Sequence, residues 1–320
     1  MTRRTLRTAA LATTALVATA FSAAAEYPER PITMIVPFAA GGGTDVTART
    51  VEPFLEKYLG GDIVVENVPG GSGELGATRI AQAEPDGYTI GWMNVTNTMA
   101  NAYARDTAYE TPGSYEPIAN VVFDAAMVVV HPDSQFETFE ELLEYATENP
   151  GDLTFATSGI SSDSHLNLLM LHEESEARLT HVPFEGGAAS RAALLGRHVD
   201  VLSSTRSEVQ PYQEEGEVRI LAAWTEDRLE MLPDVPTLKE HGLDLTSGSW
   251  RGLIAPAGTP REIVEQLAEA VEQMVKDPEF QERAEQMRLG LEYMDADEYL
   301  AFLTDWDERL TALWEAEPWQ

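Results

Sequence analysis

The stretch at residues 31–49, Pro-Ile-Thr-Met-Ile-Val-Pro-Phe-Ala-Ala-Gly-Gly-Gly-Thr-Asp-Val-Thr-Ala-Arg, narrows the possible folds more than any other part of the chain. Ile32, Met34, Ile35 and Val36 form an apolar run of strand length, and Gly41, Gly42 and Gly43 let the backbone turn sharply. Thr44 and Asp45 occupy the place of a helix N-cap, ahead of an amphipathic segment in which Val46, Val51 and Leu55 keep one face. A strand, a glycine turn and a helix start therefore follow in that order. Such a turn presents backbone N–H groups and the positive end of a helix dipole, which suit a carboxylate or a phosphate.

The plan recurs in the middle of the chain. Residues 153–156 read as a strand that opens into Thr157-Ser-Gly-Ile-Ser-Ser-Asp-Ser-His165, with a helix at 166–171. A second small polar turn at a helix start points to a second anion site. Two such sites facing each other across a cleft would hold a molecule with carboxylates at both ends. Between the copies, residues 63–66 and 88–93 read as strands. Gly71, Gly73 and Gly76 match G-x-G-x-x-G, yet the next strand ends at Asn94 and not at the acidic residue of a dinucleotide site, so the motif reads as a glycine-rich turn. Residues 94–101 are a polar segment at the carboxyl end of that strand, where open α/β sheets bind ligands. Asn94, Thr96 and Asn97 are candidate hydrogen-bonding residues there, with ordinary loop polarity as the competing reading.

Residues 121–130 form an apolar run broken by Asp124, and residues 136–147 an acidic helix. Arg206 follows a strand approach, where a guanidinium either grips a carboxylate by two hydrogen bonds or sits in a surface ion pair. Arg251, within Trp250-Arg251-Gly252, admits ligand, hinge and ion-pair readings. Helices at 260–275, 278–287 and 296–316 close the chain and most simply cover a sheet.

Export and charge limit the function classes. Arg3, Arg4 and Arg7, an apolar stretch at 9–21 and Ala23-Ala24-Ala25 make residues 1–25 a signal peptide, with cleavage expected before Glu26 by the Sec route. No later stretch is long and apolar enough to span a bilayer, so a periplasmic location is expected. The chain has no cysteine, which excludes disulfides, thiolate metal sites, a cysteine nucleophile and a lipid-modified cysteine. Removing the three leader arginines takes the formal net charge from −33 to −36, against nucleic-acid or anionic-membrane binding. There is no G-x-S-x-G elbow and no H-E-x-x-H, and the six histidines are scattered. No catalytic residue, metal or organic cofactor is expected, and His165 reads as a helix-start hydrogen-bonding residue in preference to a general base.

Arg30-Pro31-Ile32, Val36-Pro37-Phe38 and Gly41-Gly-Gly-Thr-Asp45 resemble the opening of the solute-binding receptors of tripartite tricarboxylate transporters, the Bug-type receptors. Val65-Glu66-Asn67-Val68-Pro69-Gly70-Gly71, Pro85-Asp86-Gly87-Tyr88-Thr89, Leu232-Pro233-Asp234-Val235-Pro236-Thr237 and the block at 250–260 follow in family order. The block His181-Val-Pro-Phe-Glu-Gly-Gly-Ala188 departs from the pattern, with Glu185 where a basic residue often stands. The resemblance implies a type II periplasmic-binding-protein-like α/β fold: two domains joined by two crossover segments, with a ligand cleft between them. Residues 26–124 would form the first domain, 125–225 the second, and 226–320 a return segment and the rest of the first. It further implies a monomeric periplasmic receptor that delivers a small di- or tricarboxylate to a membrane permease with one large and one small subunit. Gly42, Gly43, Thr44 and Asp45 would hold one carboxylate, and Ser158, Gly159, Ser161, Ser162 and His165 would line the facing turn. Asn94, Thr96, Arg206 and Arg251 complete the candidate set. A receptor that presents its ligand to a sensor kinase and a carboxylate-ester hydrolase are the alternatives.

Overall fold

The apolar run at the start of the chain forms a fully buried strand because its side chains are covered on both faces by helices. The computed structural model describes residues 27–316 and 318–319, so the signal peptide read at 1–25 lies outside the described residues. β1 (Ile32–Val36) leads through the glycine turn into α1 (Gly43–Leu59), β2 (Ile63–Asn67), α2 (Glu74–Ala81), β3 (Thr89–Asn94) and α3 (Val95–Ala104). The 16-residue β4 (Tyr115–Val130) follows. A second alternating run comprises α4 (Phe139–Glu148), β5 (Thr154–Thr157), α5 (Asp163–Glu174), β6 (Thr180–Pro183), α6 (Gly187–Leu195), β7 (Val201–Thr205), α7 (Arg206–Glu214) and β8 (Arg219–Ala223). β9 (Gly248–Pro256), α8 (Arg261–Val275), α9 (Pro278–Gln286), β10 (Leu291–Met294) and α10 (Ala296–Ala316) complete the described chain.

The strands join in the order β2-β1-β3-β9-β4-β7-β5-β6, with β10 and β8 also paired to β4. β1, β2 and β3 run parallel, as do β5, β6 and β7, whereas β4 and β9 run antiparallel to their neighbours. β4 belongs to both halves of the sheet. Its residues from Tyr115 to Ala125 lie opposite β9, and from Ala126 to Val130 opposite β7. Its partners thus change between Ala125 and Ala126, one residue beyond the buried Asp124. The architecture is the mixed α/β, type II periplasmic-binding-protein-like fold.

Each half has a core of its own on one face, and a further cluster runs through both, from Ile35, Ile80 and Met93 to Phe155, Leu166 and Leu171. α1 and α8 bury Val51, Leu55, Leu267, Val271 and Met274 against Met34, Val36 and Trp92 of the first half. In the second half Leu194, Val199 and Val209 pack with Met127, Val129 and Leu202. Burying each such side chain stabilises the fold by about 1.5–3 kcal/mol.

Some elements differ from the sequence reading for identifiable reasons. Residues 94–101 are not a polar loop, because Val95 to Ala104 form α3. Thr96, Asn97, Thr98 and Asn101 are buried together with Val95, Met99 and Ala100, so no polar and apolar faces alternate to mark the helix. Helix α1 begins at Gly43 with Gly42 as N-cap, two to three residues before the N-cap read at Thr44 and Asp45. α7 went unread because Pro211 stands inside it. β10 is a four-residue strand, too short to show a period.

Candidate functional site

The carboxyl ends of β1, β3, β5 and β7 deliver the chain directly to the N-termini of α1, α3, α5 and α7. At α1, Gly42 offers no side-chain cap, and the N–H groups of Gly43, Thr44 and Asp45 have no hydrogen-bond partner among the described residues. The Asp45 carboxylate serves the turn itself. It accepts from Gly41 N at 2.8 Å, Arg49 Nε at 3.0 Å and Asn67 Nδ2 at 2.9 Å. Burial pushes its acidity toward the neutral form, but these donors together hold the group below the usual carboxylate range. At Asp45, therefore, the backbone N–H rather than the carboxylate is available to an anion.

Gly43 is required by what packs on it. A Cβ there would stand 2.8 Å from Arg251 Nη2. Arg251 lies on β9 between Asn94 of β3 and Val122 of β4, and its Nη1 donates to Asp124 Oδ2 at 3.3 Å, with both side chains buried. The same carboxylate accepts from Ser207 N at 3.0 Å and from Ser207 Oγ. One buried acid thus ties β4, β9 and the start of α7 together where β4 changes partners. Arg251 Nε has no partner among the described residues. Next to Arg251, Trp250 packs on Phe123 with ring centroids 4.6 Å apart, and on Phe302 and Trp306 at 5.1 and 5.5 Å.

The facing turn, at residues 158–162, is filled by its own side chains. Ser162 caps α5, its Oγ accepting from His165 N at 3.2 Å and donating to Gly159 O at 2.6 Å. Ser158 N donates to Ser164 Oγ at 2.9 Å, and Ser161 N to His165 Nδ1 at 3.3 Å. Ser161 is held at φ +61° and its buried Oγ has no partner among the described residues. His165 stacks on His181 at 4.1 Å with the rings nearly parallel, and His181 Nε2 meets Thr157 Oγ1 at 2.7 Å. Burial, then the neighbouring imidazoles, push His165 down to about 3. It stays neutral at physiological pH, which lets Nδ1 accept from Ser161. The two halves meet here, as Ser72 Oγ donates to Ile160 O at 3.4 Å.

Most of the residues singled out in the sequence come together at these turns. Asn94 Nδ2 donates to Ser249 Oγ at 2.9 Å beside Arg251, and Thr96 Oγ1 is buried without a partner among the described residues. Arg206 feels the charge of Asp124, but its donors are spent on other groups. Its guanidinium bonds Gln210 Oε1 at 3.0 Å, Arg288 O at 2.6 Å and the Met231 sulfur. Three acids were not singled out as site residues. Asp124 could have been, since it is the lone charge in an apolar run; Asp163 and Glu208 could not, among 54 acidic residues. Asp163 opens α5, accepting from Ser164 N at 2.8 Å. Burial, reinforced by the charges of Glu208 and Asp124 and opposed by Ser164 N and Arg251, pushes its carboxyl up to about 6. Glu208 Oε2 accepts from Ser204 Oγ at 2.8 Å and lies 2.9 Å from where a Cβ on Gly187 would stand, at the start of α6.

Two open surface depressions, of about 420 and 550 Å³, lie elsewhere, beside α2 and between α1 and α9. Neither gathers helix N-termini. Among the described residues no group of three or more His, Asp or Glu is arranged to hold a metal ion.

A family model described as the tripartite tricarboxylate transporter family receptor matches residues 47–317. A UPF0065 protein from the gbd 5′ region of Cupriavidus necator is 33% identical over 299 residues, covering 92% of this chain and 91% of that one. The periplasmic binding protein BugD has a solved structure with a TM-score of 0.81 and 33% identity, covering 91% of this chain and 98% of its own. MatC from Rhodopseudomonas palustris, solved with bound malate, has a TM-score of 0.80 and 29% identity, covering 90% of this chain and 99% of its own.

Proposed function

The chain belongs to the tripartite tricarboxylate transporter receptor family, whose members are periplasmic solute-binding proteins, and from that premise we propose that it captures a small di- or tricarboxylate between its two strand-turn-helix motifs. The observation that carries this reading is the first turn. Three backbone N–H groups, at Gly43, Thr44 and Asp45, lie without partners at the positive end of a 17-residue helix, beside the buried Arg251. Helix dipole, amide donors and guanidinium all favour an anionic oxygen there. The malate held by MatC belongs to the same chemical class.

The reading treats residues 26–124 and 226–320 as one domain and 125–225 as the other. The change of β4 partners between Ala125 and Ala126 supports that division. Domain closure would bring the serine turn onto the bound carboxylate, with the Asp124, Arg251 and Ser207 cluster near the pivot. The closed receptor, a monomer exported to the periplasm, would then present a composite surface to a permease of one large and one small membrane subunit. Arg206 acts in this scheme as a bridge to Arg288 and not as a ligand.

Thermal melting of the mature protein against di-, tri-, hydroxy- and aromatic acids in high salt tests the proposal. A ligand at a hundred times its dissociation constant adds about 2.7 kcal/mol of stability, a shift of several degrees. Upward shifts confined to carboxylates are expected. A melting point unmoved by every acid, or moved equally by neutral sugars, would sink the reading.

A further inference from the structure

Four non-glycine residues among those described hold a positive φ: Ser72, Ser161, Arg197 and Arg288. Three of them stand where the halves meet. Ser72 Oγ donates to Ile160 O, next to Ser161, whereas Arg197 and its partner Asp133 both belong to the second half. Arg288 makes a junction of its own. It follows α9, where Arg288 N donates to Glu285 O at 2.9 Å and Leu289 N to Ala284 O at 2.9 Å, the hydrogen bonds of a helix end that favours glycine in the left-handed position. An arginine at φ +57° is strained there, and contacts beyond the helix end hold it.

Those contacts are with α7 of the second half. Arg206 Nη2 donates to Arg288 O at 2.6 Å, and Arg288 Nη2 to Glu214 Oε2 at 2.9 Å. Gln210 closes the ring, accepting from Arg206 Nη1 at 3.0 Å and donating from Nε2 to Glu214 Oε1 at 3.1 Å. Arg206, Gln210 and Glu214 follow one another at i, i+4 and i+8, on one face of α7. The far side of the Arg288 loop is pinned to β4, where Phe123 N donates to Gly290 O at 2.8 Å and Asn120 Nδ2 to Glu292 O at 2.6 Å, short of the point at which β4 changes partners. A Cβ on Gly290 would stand 2.2 Å from Phe123 O, so the loop lies directly on the strand.

We propose that Arg288 is a latch between the halves: the ring is closed in this arrangement and opens when the second half swings about β4, which limits how far the receptor opens. The inference rests on the division of the chain proposed above. Glycine would relax the helix end but has no side chain to reach Glu214, so the local preference is overridden where the long-range contact needs it. The outer arm, from Arg288 to Glu214, is partly exposed, at 37 and 50%, while Arg206 is buried. Loss of one arm leaves the other in place and shifts the equilibrium about threefold. With the closed ring predominant, that shift changes ligand affinity by less than about twofold, so a distance between the halves reports the latch and affinity does not.

The test uses the absence of cysteine from the chain. Spin labels at Glu144→Cys of α4 and Glu262→Cys of α8 give a distance between the halves, and labels at Glu144→Cys and Ala192→Cys of α6 a distance within the second half; all three positions are exposed. In the mature protein without ligand, at one salt concentration, Arg288→Gly and Glu214→Gln, each checked for folding by circular dichroism, should each raise the long-distance population between the halves about threefold. The distance within the second half should not change. Arg288→Glu should raise that population further, and Arg288→Glu combined with Glu214→Arg should return it to the parent level. A distribution between the halves that neither Arg288→Gly nor Glu214→Gln alters, or a charge exchange that restores nothing, would overturn the latch and leave the division of the chain standing. Broadening of both distances together would overturn the division as well.

Discussion

The glycine turn before α1 and the serine turn before α5 share one chain plan and differ in what fills them. The first leaves three N–H groups free and lets an arginine rest on its backbone, which only a residue without a side chain at position 43 permits. The second occupies its donors with Ser162, Ser164 and His165 and is braced by a stacked imidazole pair. An open turn can bind an anion strongly; a turn closed by its own side chains offers a fixed surface. On the proposed reading, recognition energy and shape selection are divided between two copies of the same motif.

Breaking the partner of the open turn should have the largest effect. Arg251→Met leaves Asp124 buried with only the Ser207 donors, and should cost about 3 kcal/mol in urea denaturation as well as weakening ligand binding. Gly43→Val drives a side chain into Arg251 and should lower carboxylate affinity about a hundredfold by calorimetry, with a loss of stability of about 1–3 kcal/mol. If affinity survived, the open turn would not be the binding element. At the closed turn, Ser162→Ala removes a helix cap and should cost about 1 kcal/mol, seen equally with and without ligand.

Asp163→Asn probes the same turn through pH. The folded protein raises this carboxyl to about 6, so its stabilising contribution is complete below the ordinary carboxylate range and is lost as pH rises through that value. The variant never ionises. It should melt with the parent at pH 3.5 and be more stable by about 1 kcal/mol at pH 7.5, after allowing for solvent screening. The groups facing it, Glu208, Asp124 and Arg251, are common to both proteins. Last, Arg206→Ala should leave ligand affinity within about twofold, because its donors are spent on Gln210 and Arg288.

The two turns were legible in the sequence because each is a local pattern: an apolar strand, small residues and a helix start. Arg251 was found as a candidate, but not its contact with Gly43, which joins positions more than 200 residues apart. Helix α3 was missed because its exterior is protein and not water, so its polar residues are buried and no amphipathic period remains. Asp163 and Glu208 were hidden differently. In a chain with 54 acidic residues, only three-dimensional placement separates an acid held among helix starts from one that faces solvent.

The aromatic cluster at β9 has an optical consequence. Trp250 and Phe123 pack together, and each is joined by one peptide bond to a member of the buried ion pair, Arg251 and Asp124. Charge arriving at the arginine changes the electric field across the indole and displaces its emission. Of the six tryptophans, Trp314 and Trp319 meet edge to face near the C-terminus, away from this ion pair, and should supply a constant background. On the proposed reading the protein carries its own fluorescent gauge of occupancy, and rapid mixing without any dye would separate docking of the anion from a movement of the two halves around it.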